Sequence, residues 1–228
     1  FAKTDAMLLA TVAAGQYVLA RGARDKGLSW GMAMGFWATL AISTLIKGPI
    51  GPMVMALTLV GQCGVARSFA PLVRLRPLAG LPVFLALAAP WFIAISYVSD
   101  GAFWNASLGV DMFEKMASAQ EKHGAPPVSY LAAIWLTFWP AAMPLAASLA
   151  AIWAGRREAV VQFALLSLLP TWLVFEALPT KLVHYTLPTY PALALLVAYA
   201  VQSGALRRLW PMALAGLLPL GLLAALVW

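Results

Sequence analysis

Residues Phe175 to Leu196 read F-E-A-L-P-T-K-L-V-H-Y-T-L-P-T-Y-P-A-L-A-L-L, a short polar island with apolar runs on both sides. Glu176, Lys181, His184 and Tyr185 fall within ten residues of a chain that is only 10% charged. A helix restarting near Pro179 would set Lys181, His184 and Tyr185 at i, i+3 and i+4, on one face. Pro188 and Pro191 then leave backbone carbonyls near His184 without helical partners, open to a ligand or to water. Ionisable groups at membrane depth or at its rim mark functional sites, because burying them unpaired is expensive. The plain alternative is an outer loop with an interfacial lysine and tyrosine.

Outward from this stretch the chain is apolar. Its 228 residues are 63% hydrophobic with mean hydropathy +0.85, where a soluble domain holds roughly 45–50% apolar residues. Eight runs approach the roughly 17–25 residues that a spanning helix needs. They are Ala6–Ala20, Leu28–Ile46, Ile50–Ala66, Leu78–Val98, Val128–Trp153, Val160–Phe175, Leu187–Gln202 and Trp210–Trp228. The expected fold is an all-α integral membrane protein of about eight spans, forming a single multi-span domain over residues 1–228. The chain opens at Phe1 and closes on an apolar run at Trp228, which reads as a piece of a longer protein. Cys63 is the sole cysteine, so no disulfide forms within the chain.

Charge sets the orientation. The loops after runs one, three, five and seven carry Arg21, Arg24 and Lys26; Arg67, Arg74 and Arg76; Arg156 and Arg157; Arg207 and Arg208. Every arginine lies on that side, which the positive-inside rule makes cytoplasmic. The net charge of +7 therefore reflects topology, not nucleic-acid binding. The other side holds Lys3, Lys47, Lys115, Lys122, Lys181, both histidines and all acids except Asp25 and Glu158. Topology does not ask for that mixed set, so chemistry belongs there.

Asp5 stands at the outer end of run one, either as a helix cap or as a carboxylate facing a cavity. Lys47 ends run two, where Gly48-Pro49 forces a tight turn. It either snorkels to headgroups or presents a point charge to a lipid phosphate. The longest outer segment, residues 99–127, spaces Phe103, Trp104, Leu108, Met112, Phe113 and Met116 as a helix lying in the interface plane would. Asp111 and Lys115 sit on its other faces, and Glu121, Lys122 and His123 follow in a turn-rich stretch. Asn105-Ala106-Ser107 matches a glycosylation sequon, a three-residue pattern of little weight. No P-loop, G-x-G-x-x-G, HExxH or Cys/His cluster occurs. The metal question stays open, with a divalent cation the one cofactor kept in view.

Four stretches together resemble a known family. They are Ile46-Lys47-Gly48-Pro49-Ile50-Gly51; A-P-W-F-I-A-I at 89–95; H-G-A-P-P with Tyr130 and W-P at 123–140; and P-T-K-L-V-H-Y-T-L-P-T-Y-P-A-L-A-L-L at 179–196. Such a set is similar to the GT-C glycosyltransferases that use polyprenyl-phosphate sugars. The similar branch is the bacterial one related to protein O-mannosyltransferases and to the ArnT-like lipid A aminoarabinose transferases. The resemblance implies transfer of a sugar from a polyprenyl phosphate to a lipid, glycan or protein hydroxyl at the periplasmic face of the inner membrane. It implies that Asp5 matches the family's second cavity-facing aspartate, and that the principal acidic motif lies upstream, so the piece alone would be inactive. Lys47, Lys115 and Lys181 are the cations available to a leaving phosphate. Asp111, Glu121, His123, Glu176, His184 and Tyr185 complete the expected substrate contacts. Relatives that use arginine for phosphate differ, since the outer side here has none. A transporter or lipid flippase is the alternative. It would place ionisable groups near the bilayer midplane, whereas these cluster at one rim.

Overall fold

The fold is that of a computed structural model, in which residues 4–24, 27–105, 107, 126, 128–205, 217, 221 and 224 are described. Among them every regular element is helical: α1 (Thr4–Arg24), α2 (Trp30–Lys47), α3 (Ile50–Ala66), α4 (Ala70–Arg74), α5 (Pro77–Val98) and a short α6 (Ala102–Trp104) come first. After the outer segment follow α7 (Ser129–Thr137), α8 (Ala142–Ala147), α9 (Leu149–Ala154), α10 (Ala159–Ala177), a 3₁₀ strap (Val183–Thr189) and α11 (Tyr190–Gln202). Helices α1, α5 and α10 are each long and apolar enough to cross a membrane.

Local chemistry explains most boundaries. Ser29 caps α2, its Oγ accepting the Met32 N–H at 3.2 Å. Gly48, at φ 60°, ends it by donating its N–H to the Thr44 carbonyl at 2.8 Å, and Pro49 turns the chain into α3. The third run coincides with α3, and the second, fourth and sixth agree with α2, α5 and α10 to within two residues at either end.

Two expectations are corrected. Val128–Trp153 is not one continuous helix but three helical pieces, α7, α8 and α9. Pro140, which lacks an N–H, sits at the first break. At the second the Ser148 N–H donates to the Leu145 carbonyl while its hydroxyl donates to that of Pro144, and apolar composition alone registers neither. The polar island does not restart as an α-helix at Pro179 either. Residues 180–182 are extended and the 3₁₀ strap begins at Val183, so Lys181 shares no helical face with His184 and Tyr185. The eighth run lies almost wholly outside the described residues, as does most of the interfacial helix expected over 99–127.

Helix α1 is the axis of the assembly. Gln16 sits buried at its middle, donating from Nε2 to Thr58 Oγ1 of α3 at 2.8 Å. Its Oε1 accepts from Ser167 Oγ of α10 at 3.1 Å. One side chain thus joins three helices where water is excluded, and polar bonds of this kind hold membrane helices together. Small residues allow the close contacts. A Cβ on Gly15 would meet the Met55 sulfur at 2.5 Å, and one on Gly80 would sit inside the Trp37 indole. Trp37 is fixed there by its Nε1, which donates to the Leu75 carbonyl at 2.8 Å. One apolar core joins α1, α2 and α3 to Leu75 and Phe163; a second joins α7 to α11, and α10 contributes to both.

The outcome is two distinct ends. Ala23, Gln62, Arg74 and Ala159 meet at one, Asp5, Lys47, Ile50, Phe175 and His184 at the other. The alternation read from the charges thus separates the arginine end from the lysine end in space.

Candidate functional site

Asp5 is in the first turn of α1 and Lys47 in the last turn of α2. Because α1 and α2 pack with opposite directions, these turns are neighbours. Each charge opposes the partial charge of its own helix end, a favourable placement for both. The Lys47 ammonium is ion-paired to Asp5 Oδ1, and the two side chains are 24% and 13% exposed. Lys47 therefore does not simply snorkel away, and Asp5 is more than a cap.

The strap closes over this pair. Its own threonines satisfy its irregular backbone: Thr189 Oγ1 donates to the Thr186 carbonyl at 2.6 Å, and both residues are buried. The Tyr185 N–H donates to Leu182 O at 2.9 Å. This geometry puts the Tyr185 ring 5.9 Å from Lys47 Nζ, within cation–π range. His184 lies edge-on to Tyr185 at 5.2 Å, and both line a narrow crevice with Asp5, Lys47, Ile50, Phe175 and Pro188. The crevice gathers one carboxylate, one ammonium, one imidazole and one phenol from three elements.

Glu176 and Lys181 form a separate joint beside the crevice. Glu176 Oε1 accepts the N–H groups of Tyr130 and Leu131 at 3.1 and 3.3 Å, and its Oε2 accepts that of Val128 at 3.1 Å. It is the N-terminal cap of α7, supplied from 45 to 48 residues away. Val128, β-branched and at φ 75°, is held in the left-handed region at this point. Lys181 Nζ donates to the carbonyls of Glu176 at 2.6 Å and Leu178 at 3.0 Å, and lies 3.4 Å from Glu176 Oε2. Its side chain is 4% exposed. The ammonium therefore caps the C-terminus of α10 and neutralises Glu176, with the Tyr130 ring 5.2 Å away.

Of the expected site residues, Asp5, Lys47, His184 and Tyr185 share the crevice, and Glu176 with Lys181 fastens its wall. Asp111, Lys115, Glu121 and His123 lie outside the described residues. Sequence reasoning did not single out Val128 or Phe175. The αL turn at Val128 had one signal, the turn-rich H-G-A-P-P stretch that precedes it. Among the described residues no three His, Cys, Asp or Glu side chains converge as a metal site would require.

No protein-family model matches the chain. No curated protein matches it either. Crystal structures of ArnT from Cupriavidus metallidurans do. The form bound to undecaprenyl phosphate superposes with TM-score 0.77 at 22% identity, covering 89% of this chain and 37% of that one. The apo form gives TM-score 0.71 at 21% identity, covering 89% and 36%. The chain has the fold of part of ArnT. It spans a little over a third of the ArnT chain. At this identity the likeness concerns backbone arrangement, while the crevice and the joint are features of this chain's own side chains.

Proposed function

We propose that this chain is the part of a GT-C glycosyltransferase that receives a polyprenyl-phosphate sugar at the outer face of the membrane. In the reaction an acceptor hydroxyl attacks the anomeric carbon, the bond from that carbon to the phosphate oxygen breaks, and the polyprenyl phosphate leaves with the electron pair. The hydroxyl proton passes to a carboxylate. Lys47 is assigned to the leaving phosphate, whose charge grows as the bond breaks. Asp5 holds Lys47 in place and supplies a carboxylate near the sugar. His184 and Tyr185 hydrogen-bond phosphate or sugar oxygens. The acceptor is a lipid, glycan or protein hydroxyl, and the setting is the bacterial inner membrane with the crevice facing the periplasm.

One observation carries this reading: the ion-paired Asp5 and Lys47 open onto His184 and Tyr185 in one crevice. The fold shared with ArnT, one structure of which holds undecaprenyl phosphate, supports it. The test is sugar release from a polyprenyl-phosphate donor by the longer protein containing this chain. Asp5→Asn and Lys47→Ala should each reduce turnover by about a hundredfold or more, the scale of one lost transition-state contact. Unchanged turnover in both variants would remove the pair from the site.

A further inference from the structure

At the arginine end, away from the crevice, α1, α3, α4 and α10 enclose a cavity of about 170 Å³. That is roughly five times the volume per molecule of liquid water. Its polar lining is Arg74, Gln62 and Gln162, and its apolar lining includes Val65, Phe163 and Leu166. Arg74 is half-buried, and its Nη1 donates to the Gly22 carbonyl at 2.7 Å, which caps α1 and fixes the guanidinium. Among the described residues no carboxylate is ion-paired to Arg74. The nearby acid, Glu158, is exposed and accepts the Tyr199 hydroxyl at 2.8 Å. Arg74 therefore presents a guanidinium, steadied by one carbonyl, to a concave site that supplies no carboxylate partner among the described residues. Such a site suits an anion from outside.

Two further features match that anion. Helix α10 begins at the cavity with Ala159, and no side chain caps its first N–H groups, so the positive end of a 19-residue helix faces the same space. Gln62, only 8% exposed, lines the cavity; its Nε2 donates one N–H to the Leu19 carbonyl at 3.3 Å, and the second N–H has no partner among the described residues. We propose that this cavity binds the phosphate of an anionic phospholipid in the leaflet at the arginine end. Arg74 offers the planar fork that suits phosphate oxygens. The apolar walls suit the start of the acyl chains, and basic pockets between spanning helices on the cytoplasmic side are known to take such headgroups. The shared chemistry is a phosphate anion, from a lipid or free in solution, and it is independent of the reaction proposed above.

The longer protein containing this chain is reconstituted in nanodiscs of phosphatidylcholine with a minority of phosphatidylglycerol, and the lipids it retains on extraction are counted by native mass spectrometry. Wild-type protein should keep phosphatidylglycerol in preference to phosphatidylcholine. Arg74→Gln should reduce that preference about fivefold, the effect of one basic residue near a lipid surface. Because Arg74 also caps α1, Gln162→Glu is the second variant. An acid in the opening turns of α10 suits the helix dipole and leaves the fold intact, yet it repels a phosphate. Arg67→Gln, outside the cavity, should retain the preference. Wild-type preference in both Arg74→Gln and Gln162→Glu overturns the site. If inorganic phosphate raises the unfolding midpoint in pure phosphatidylcholine discs as much as phosphatidylglycerol does, through Arg74, the lipid source is overturned and a soluble anion replaces it.

Discussion

Glu176 meets three backbone N–H groups and one ammonium, and each of these comes from a different position along the chain. Removing it uncaps α7 and leaves Lys181 buried without its counter-charge. Glu176→Ala should therefore lower the unfolding free energy in detergent by about 3 kcal/mol, the range for breaking a buried pair. Glu176→Gln should cost less, because its amide oxygen still accepts an N–H. Lys181→Ala should behave like Glu176→Ala, since it strands the carboxylate and the C-terminal carbonyls of α10 together. Combining Glu176→Gln with Lys181→Met should cost less than the sum of the two, as expected for contacting groups. Thermal unfolding of these four variants and of Lys181→Met alone checks this, and simple additivity would dissolve the joint. Lys181 is thus first a residue of the fold, and loss of activity on its replacement should accompany loss of folded protein.

At the scale of elements, the contact among α1, α3 and α10 rests on small side chains and one buried amide. Gln16→Leu preserves size but removes both bonds between helices, leaving Thr58 and Ser167 only their hydroxyl bonds to the Val54 and Phe163 carbonyls. Hydrogen bonds between membrane helices contribute about 0.6 to 1.7 kcal/mol each, so the expected loss is about 1–3 kcal/mol. Gly80→Ala should be costlier, because Trp37 must leave its place and surrender its bond to Leu75. The readout is the unfolding midpoint of each variant. A midpoint for Gly80→Ala at the wild-type value would show that α5 does not seat on α2 as described. The same scale explains the broken fifth run. Pro140 and the turn at Ser148 break the helix within a stretch of apolar residues, and only the backbone ladder registers the difference.

At the scale of the molecule, the two ends differ in charge, and that difference predicts orientation. In a Cys63→Ser background, Val183→Cys on the exposed strap should react with a membrane-impermeant maleimide in intact spheroplasts. Arg67→Cys, exposed at the other end, should react only after the membrane is opened. The reverse pattern would put the crevice in the cytoplasm and end the assignment to a periplasmic reaction.

Periodicity and charge in the sequence determined the helical class, the limits of α2, α3, α5 and α10, and the sorting of arginines from lysines. These follow from local rules: an apolar helix of fixed rise must fill a layer of fixed thickness, and a proline or glycine ends it within a turn. Only the tertiary structure decided which charges pair. Asp5 takes Lys47 across 42 residues, and Glu176 takes the start of α7 across 45 to 48. A buried charge must be compensated by whichever group the packing brings within reach, and no spacing along the chain encodes that partner. Lys181 shows the cost of local reading. Placed by spacing on a face with His184, it is placed by packing among the carbonyls that end α10, where the helix dipole and Glu176 hold it.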